Sequence, residues 1–258
     1  MNWIKERLAR EPLRGIWLAC GSPVAAEMAG LAGFDWALLD LEHGLGTETD
    51  VLRMMQALSG TTAAPVVRVP SMRSDLIKRV LDFGAAGVMA PMIDNAGQAR
   101  EFVRALRYPP AGVRGMTGSS RASGYGRDFA RYQREANEHI LGVVQIETAV
   151  AVENALELAA VSGVDVLFIG HSDLSLALGC YNQFDAPVLR AAEAKVLEAC
   201  ARHGKRAGIL LRPGMRQDTM IKRGFSLLAM GSDLGCLKSG FQRLLAEPEA
   251  GQADRCAQ

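Results

Sequence analysis

Short apolar runs recur along the chain, and the stretches between them bring apolar residues back every three or four positions. The runs fall near Gly15–Cys20, Trp36–Leu41, Pro65–Val69, Gly87–Ala90, Leu141–Ile146, Val164–Ile169, Ala207–Leu211 and Ser226–Met230. They are rich in Val, Ile, Leu and Ala and lack polar alternation, as strands buried on both faces do. Asp75–Phe83, Asn95–Leu106 and Pro187–His203 carry the helical period, and roughly Ala149 to Ala160 reads as a further helix. Gly33, Gly84, Gly163, Gly204 and Gly224 follow helices, where a left-handed residue closes the last turn. Eight strand–helix units predict a single α/β domain, a closed (β/α)₈ barrel of the TIM type, over residues 1–258.

The longest connection follows the fourth strand. After a helix it runs through Tyr108-Pro109-Pro110-Ala111-Gly112-Val113-Arg114-Gly115 to about Asn137. Gly115, Gly118, Gly124 and Gly126, with Ser119, Ser120 and Ser123, predict a mobile segment of the kind that carries function. There is no internal repeat, low-complexity tract or linker, and the small, polar tail after Leu245 is expected to fray.

Size and charge narrow the function classes. A chain of 258 residues suits one barrel, and 49% hydrophobic with 22% charged residues is ordinary for a globular protein. A net charge of +1 provides no field to attract nucleic acid or an anionic membrane. Arg100, Arg104 and Arg107 read as a solvated helix face. Cys20, Cys180, Cys200, Cys236 and Cys256 are scattered and odd in number, against a disulfide scaffold or zinc cluster. The N-terminus lacks a signal-type apolar core, and no run reaches the roughly 18 apolar residues of a membrane span. A cytoplasmic protein is the default expectation.

In such barrels the chemistry sits where the strands end. Asp40, Glu42 and His43 follow the second strand, and Arg68 ends the third. Gln145 and Glu147 end the fifth, His171, Ser172 and Asp173 the sixth, Arg212 the seventh, and Ser232 and Asp233 the eighth. Glu147 and Asp173 close neighbouring parallel strands, and two carboxylates side by side repel unless a cation or a shared proton offsets them. A hard divalent metal is the simplest occupant, and a proton-sharing pair is the alternative. His43 is the general-base candidate, against the plainer reading of a hydrogen-bonded loop histidine. The fork of Arg68 suits a carboxylate or an enolate oxygen, with an ion pair to Asp40 or Glu42 as the other use. His139 and His203 precede strands at the opposite rim and read as structural.

The six lysines, Lys5, Lys78, Lys195, Lys205, Lys222 and Lys238, all fall away from strand ends, which disfavours Schiff-base chemistry and leaves the metal as electron sink. No phosphate-loop or dinucleotide fingerprint occurs. Gly231-Ser232-Asp233 opens the last helix as an anion site or, more commonly, an ordinary cap.

Five ordered motifs resemble the HpcH/HpaI aldolase family: Leu39-Asp40-Leu41-Glu42-His43-Gly44, Val67-Arg68-Val69-Pro70, the Tyr108–Gly115 stretch, Val144-Gln145-Ile146-Glu147-Thr148 and Phe168-Ile169-Gly170-His171-Ser172-Asp173-Leu174-Ser175. The resemblance spans Arg14 to about Leu245. It implies a phosphoenolpyruvate/pyruvate-type barrel and a class II aldolase that cleaves a 4-hydroxy-2-oxo acid to pyruvate and an aldehyde. It further implies Mg²⁺, Mn²⁺ or Co²⁺ on Glu147 and Asp173, Arg68 on the keto oxygen, and His43 moving the proton with Asp82 orienting it. Gln145 and the backbone near Ser172-Asp173 would line the pyruvate site. A homo-oligomer, a hexamer with the last helix (about 232–245) exchanged, is implied as well. Other readings are an oxaloacetate decarboxylase, an acyl-CoA lyase of the same superfamily, and a non-catalytic barrel that binds small acids. Two positions depart from the family pattern. His171 replaces a proline, relaxing the backbone or adding a titrating group, and Arg212 stands where smaller or neutral residues are usual, with an acidic aldehyde as its expected neighbour.

Overall fold

All eight apolar runs are strands. In the computed structural model, which describes residues 3–246, they are β1 (Leu13–Leu18), β2 (Trp36–Asp40), β3 (Ala64–Arg68), β4 (Gly87–Ala90), β5 (Leu141–Ile146), β6 (Val166–Ile169), β7 (Arg206–Leu210) and β8 (Phe225–Ser232). Each pairs in parallel with the next, and β8 returns to β1, closing the barrel. The first strand starts earlier than its apolar run, at Leu13. The expected fraying tail lies outside the described residues.

Strand side chains alternate between two apolar layers. Trp36 and Leu38 of β2, Ala64 and Val66 of β3, Leu141 and Val143 of β5, and Val166 and Phe168 of β6 fill the barrel interior. Ala37, Leu39, Val67, Val144 and Leu167 face outward and pack beneath the helices. This alternation fixes which rim residues turn inward. Large and small residues are matched across the interior: Gly15 pairs with Trp36 and Gly208 with Phe168. A Cβ on Gly15 would meet the Trp36 ring at 2.2 Å.

The helices end where the glycines predicted, and Gly84 and Gly224 close their helices at φ of 106° and 108°. Three expectations need correction. The helix expected over Ala149–Ala160 is broken at Asn154, whose side-chain amide donates to the carbonyl of Asp94 at 2.8 Å. The long connection after β4 is also anchored. It contains the helices Ala96–Leu106 and Phe129–His139 and is pinned by Arg114, which is 2% exposed and lies over the rings of Tyr108 and Tyr132. Arg121 adds a bond to the Phe83 carbonyl at 2.6 Å. Arg107 is also buried rather than solvated, donating to the Ile140 carbonyl at 3.2 Å, while Arg100 and Arg104 are exposed.

The last helix, Asp233–Leu245, leaves Leu234, Leu237, Phe241 and Leu244 exposed at a 3-4-3 spacing. No helix among the described residues is long and apolar enough to cross a membrane. Gly15→Ala should cost about 1–3 kcal/mol of stability through overpacking against Trp36, read as a lower urea midpoint; an unchanged midpoint would show that the ring has room to move.

Candidate active site

Continuing the inward alternation past the apolar layers brings Asp40 of β2, Arg68 of β3, and Gln145 and then Glu147 at the end of β5 to the barrel mouth. All four are buried. Arg68 grips Asp40 in a two-pronged contact, Nε to Oδ1 at 2.9 Å and Nη2 to Oδ2 at 2.6 Å. Its Nη1 lies 2.8 Å from Glu42 Oε2, and its guanidinium sits 4.7 Å above the Trp17 ring. Trp17 donates its indole N–H to Asp40 at 3.0 Å, and the backbone N–H groups of Glu42 and His43 donate to the same carboxylate. Asp40 therefore shapes the turn that carries His43 as well as holding Arg68. The ion-pair reading of Arg68 is correct as geometry and still leaves the guanidinium on the cavity wall.

Glu147 is held from two sides. The Met92 N–H donates to Oε1 and the Gln145 amide to Oε2, each at 2.9 Å. Met92 reaches that position with a φ of 53°, a left-handed value costly for a side chain of its size. A Cβ on Gly170 would lie 2.9 Å from the Gln145 amide nitrogen and 3.1 Å from Glu147 Oε2, so the carboxylate occupies space that only a glycine leaves open.

Charge at this rim is unbalanced. Burial disfavours the ionised form of Asp40, but the bonds and charge of Arg68 outweigh it and hold the carboxyl below its usual range. Burial raises Glu42, with Arg68 and His43 opposing and Asp40 and Asp173 reinforcing. Glu147 is pushed up to about 7, first by burial and then by the negative charges of Glu42 and Asp173, against the pull of the Met92 N–H and Arg68. Asp40, Glu42 and Glu147 thus draw on one buried guanidinium, and the exposed Asp173 adds a fourth negative charge nearby.

The cavity over them holds about 300 Å³ and is lined by His43, Arg68, Gln145, Ser172, Asp173 and Arg212, with the aromatic walls Trp17 and Phe168. A larger groove of about 810 Å³, lined by Lys5, Arg100, Arg104 and Arg107, lies elsewhere and lacks this cluster of acids. No group of three or more His, Cys, Asp or Glu side chains among the described residues forms a metal cage. The donors here are all oxygens, crowded and underneutralised, and they fit a hard cation that keeps water or substrate in its remaining positions.

Asp82 is not brought to His43 within this chain. It lies near the end of the helix Ser74–Phe83, and its carboxylate accepts from Arg114 Nη2 at 2.8 Å. His171 is buried, with Nε2 2.6 Å from Glu193 Oε1 and Nδ1 unpartnered. Glu193 is fully buried and is also bound by Arg223. The sequence reading missed Glu193 and Phe184. Glu193 left a signal: it occupies the inward face of its helix, between Leu189 and Val196. Ser232 is an ordinary cap, accepting from the Gly235 N–H at 3.0 Å, and Asp233 accepts from the backbone of Ala19 and Cys20.

An eight-stranded parallel barrel with acids, a histidine and a buried guanidinium gathered at its C-terminal rim has the layout of a barrel enzyme's active site. A model of the HpcH/HpaI aldolase/citrate lyase family matches residues 13–239, and the chain belongs to that family, as an aldolase. It is 38% identical over 244 residues to a 5-keto-4-deoxy-D-glucarate aldolase of Enterobacter sp. (strain 638), covering 94% of this chain and 95% of that one. Among solved structures, an HpcH/HpaI aldolase/citrate lyase family protein from Burkholderia cenocepacia J2315 superposes with a TM-score of 0.90 at 35% identity, covering 95% and 98% of the two chains. The citrate synthase SbnG follows the same fold with a TM-score of 0.85 at 25% identity, covering 95% and 96%.

The raised value of Glu147 has a sign that can be measured. Its carboxyl holds a proton more tightly in the folded state than in the unfolded chain, so it costs the metal-free protein stability as pH rises from about 4.5 through 7. In chelator, Glu147→Gln should gain stability relative to wild type between about pH 5 and pH 8; parallel pH curves would show that Glu147 is not destabilised there.

Proposed function

We propose that the chain is a divalent-cation-dependent class II aldolase that reversibly cleaves a 4-hydroxy-2-oxo acid to pyruvate, or a close analogue, and an aldehyde. The observation that carries this reading is the excess of carboxylate at the rim, where burial and mutual repulsion raise Glu147 to about 7. Glu147 and Asp173 would hold Mg²⁺, Mn²⁺ or Co²⁺, and such an ion draws electron density from the 2-oxo group.

The chain's own groups carry the other tasks. Arg68, fixed by Asp40 and Trp17, presents its outer N–H groups to the oxygen that becomes negative when the C3–C4 bond breaks. A donor fixed in advance stabilises that charge more than it stabilises the substrate. His43 takes the proton of the 4-hydroxyl as the aldehyde forms, and the same proton returns to C3 of the enolate. Gln145 lines the pyruvate end of the cavity while holding Glu147. The Enterobacter relative, named as an aldolase of a keto acid, supports this substrate class. The exposed 3-4-3 apolar stripe of the last helix supports assembly of copies through that helix, as in an exchanged hexamer.

A pyruvate-coupled screen of 4-hydroxy-2-oxo acids tests the reading. Turnover should vanish in chelator and return with Mg²⁺, Mn²⁺ or Co²⁺. His43→Ala should lower kcat by about 10²–10⁴-fold while metal binding persists. Full activity in chelator contradicts the metal reading, and full activity of the variant removes His43 as base.

A further inference from the structure

Arg212 carries a charge that no carboxylate of the described residues pairs with. It follows β7 on the rim and is half-buried. Two contacts hold it still, and one donor is left over. Nη2 donates to Ser172 Oγ at 2.6 Å. The guanidinium lies 3.9 Å over the ring of Phe184. Nε is buried with no hydrogen-bond partner. Asp173 acts on it only at longer range, and burial lowers its pKa without threatening a charge of such high intrinsic basicity.

A buried N–H left unmade is costly, and a guanidinium already fixed in plane loses little freedom on binding. The group that satisfies both conditions is a planar anion, taken by a flat fork. The position of Arg212 says where that anion sits. It forms the wall shared by the inner cavity and an outer groove of about 810 Å³ that runs over Pro213, Met215 and Ser232. Ser172, its tether, immediately precedes Asp173 on the rim helix His171–Ala177, so the fork is fastened to the same element that carries that carboxylate. A ligand held at its oxo-acid end by the inner cavity would bring a second acid group past Arg212 at short chain length. An uncharged tail would leave Nε unpaired in the same place, which is the condition under which polar sites reject apolar analogues most strongly.

We propose that Arg212, braced by Phe184 and Ser172, is a distal-carboxylate clamp that selects dicarboxylic 4-hydroxy-2-oxo acids, the second carboxylate departing on the aldehyde. The clamp rests on the aldolase reading for the identity of the reaction, but its binding can be measured apart from turnover.

The metal-loaded protein is titrated calorimetrically with 2-oxoglutarate and 2-oxoadipate, and with their uncharged chain-length matches 2-oxopentanoate and 2-oxohexanoate. Wild type should prefer the acidic member of each pair, and Arg212→Ala should reduce that preference by about 10- to 100-fold. Arg212→Lys, which keeps the charge without the fork, should retain part of it, and Phe184→Leu should weaken it. In turnover, the ratio of kcat/KM for succinic semialdehyde over butyraldehyde should fall in parallel in Arg212→Ala. No wild-type preference, or an equal loss for acidic and uncharged ligands in Arg212→Ala, overturns the clamp. An intact, Arg212-dependent preference without any carbon–carbon cleavage overturns the aldolase reading and leaves the clamp standing.

Discussion

The barrel mouth is organised by a shortage of positive charge. Asp40, Glu42, Glu147 and Asp173 act on a common space, and Arg68 is the guanidinium buried among them. Asp40 uses most of it. The two-pronged contact leaves Glu42 and Glu147 underneutralised, burial makes their negative charges more expensive, and the exposed Asp173 adds its field to both. Removing Arg68 would leave Asp40 buried without a counter-charge, a loss commonly worth about 3–5 kcal/mol, so the pair is a structural foundation as well as a part of the candidate site.

The fold creates this shortage by simple means. The two-residue period of each strand carries the interior face from Trp36 and Leu38 to Asp40, from Val66 to Arg68, and from Val143 to Gln145. The apolar layers below exclude water, and the acids above are fastened from the backbone: Met92, Glu42 and His43 turn their N–H groups to Glu147 and Asp40. Gly170 supplies the gap that the Glu147 carboxylate fills. Rigid donors arranged before substrate arrives are what a developing enolate charge requires.

Local rules made the strands, most helices and the rim acids readable from sequence, because apolar runs, terminal glycines and residues at strand ends follow from chain geometry alone. What escaped was long-range. Nothing near Asp82 announces that Arg114, far along the chain, takes its carboxylate. Nothing in the Gly- and Ser-rich stretch after Tyr108 announces that Arg114 stacks on two tyrosines and fastens it. Asn154 broke a good helical pattern because its amide found the Asp94 carbonyl. Phe184 became part of the rim because Arg212 needed a flat surface. Glu193 was visible in principle, as a charge on an inward helical face, and its partners His171 and Arg223 explain why it is tolerated there.

The central claim is that this surplus of negative charge is the seat of a divalent cation. Titration of Mn²⁺ into the protein, followed by the loss of the free-ion electron paramagnetic resonance signal, tests it most directly. The account predicts a single Mn²⁺ per chain, bound more tightly as pH rises through about 7 because protons compete for Glu147, and lost in Asp173→Asn. Mn²⁺ binding that is absent at every pH, or unchanged in Asp173→Asn, would contradict it.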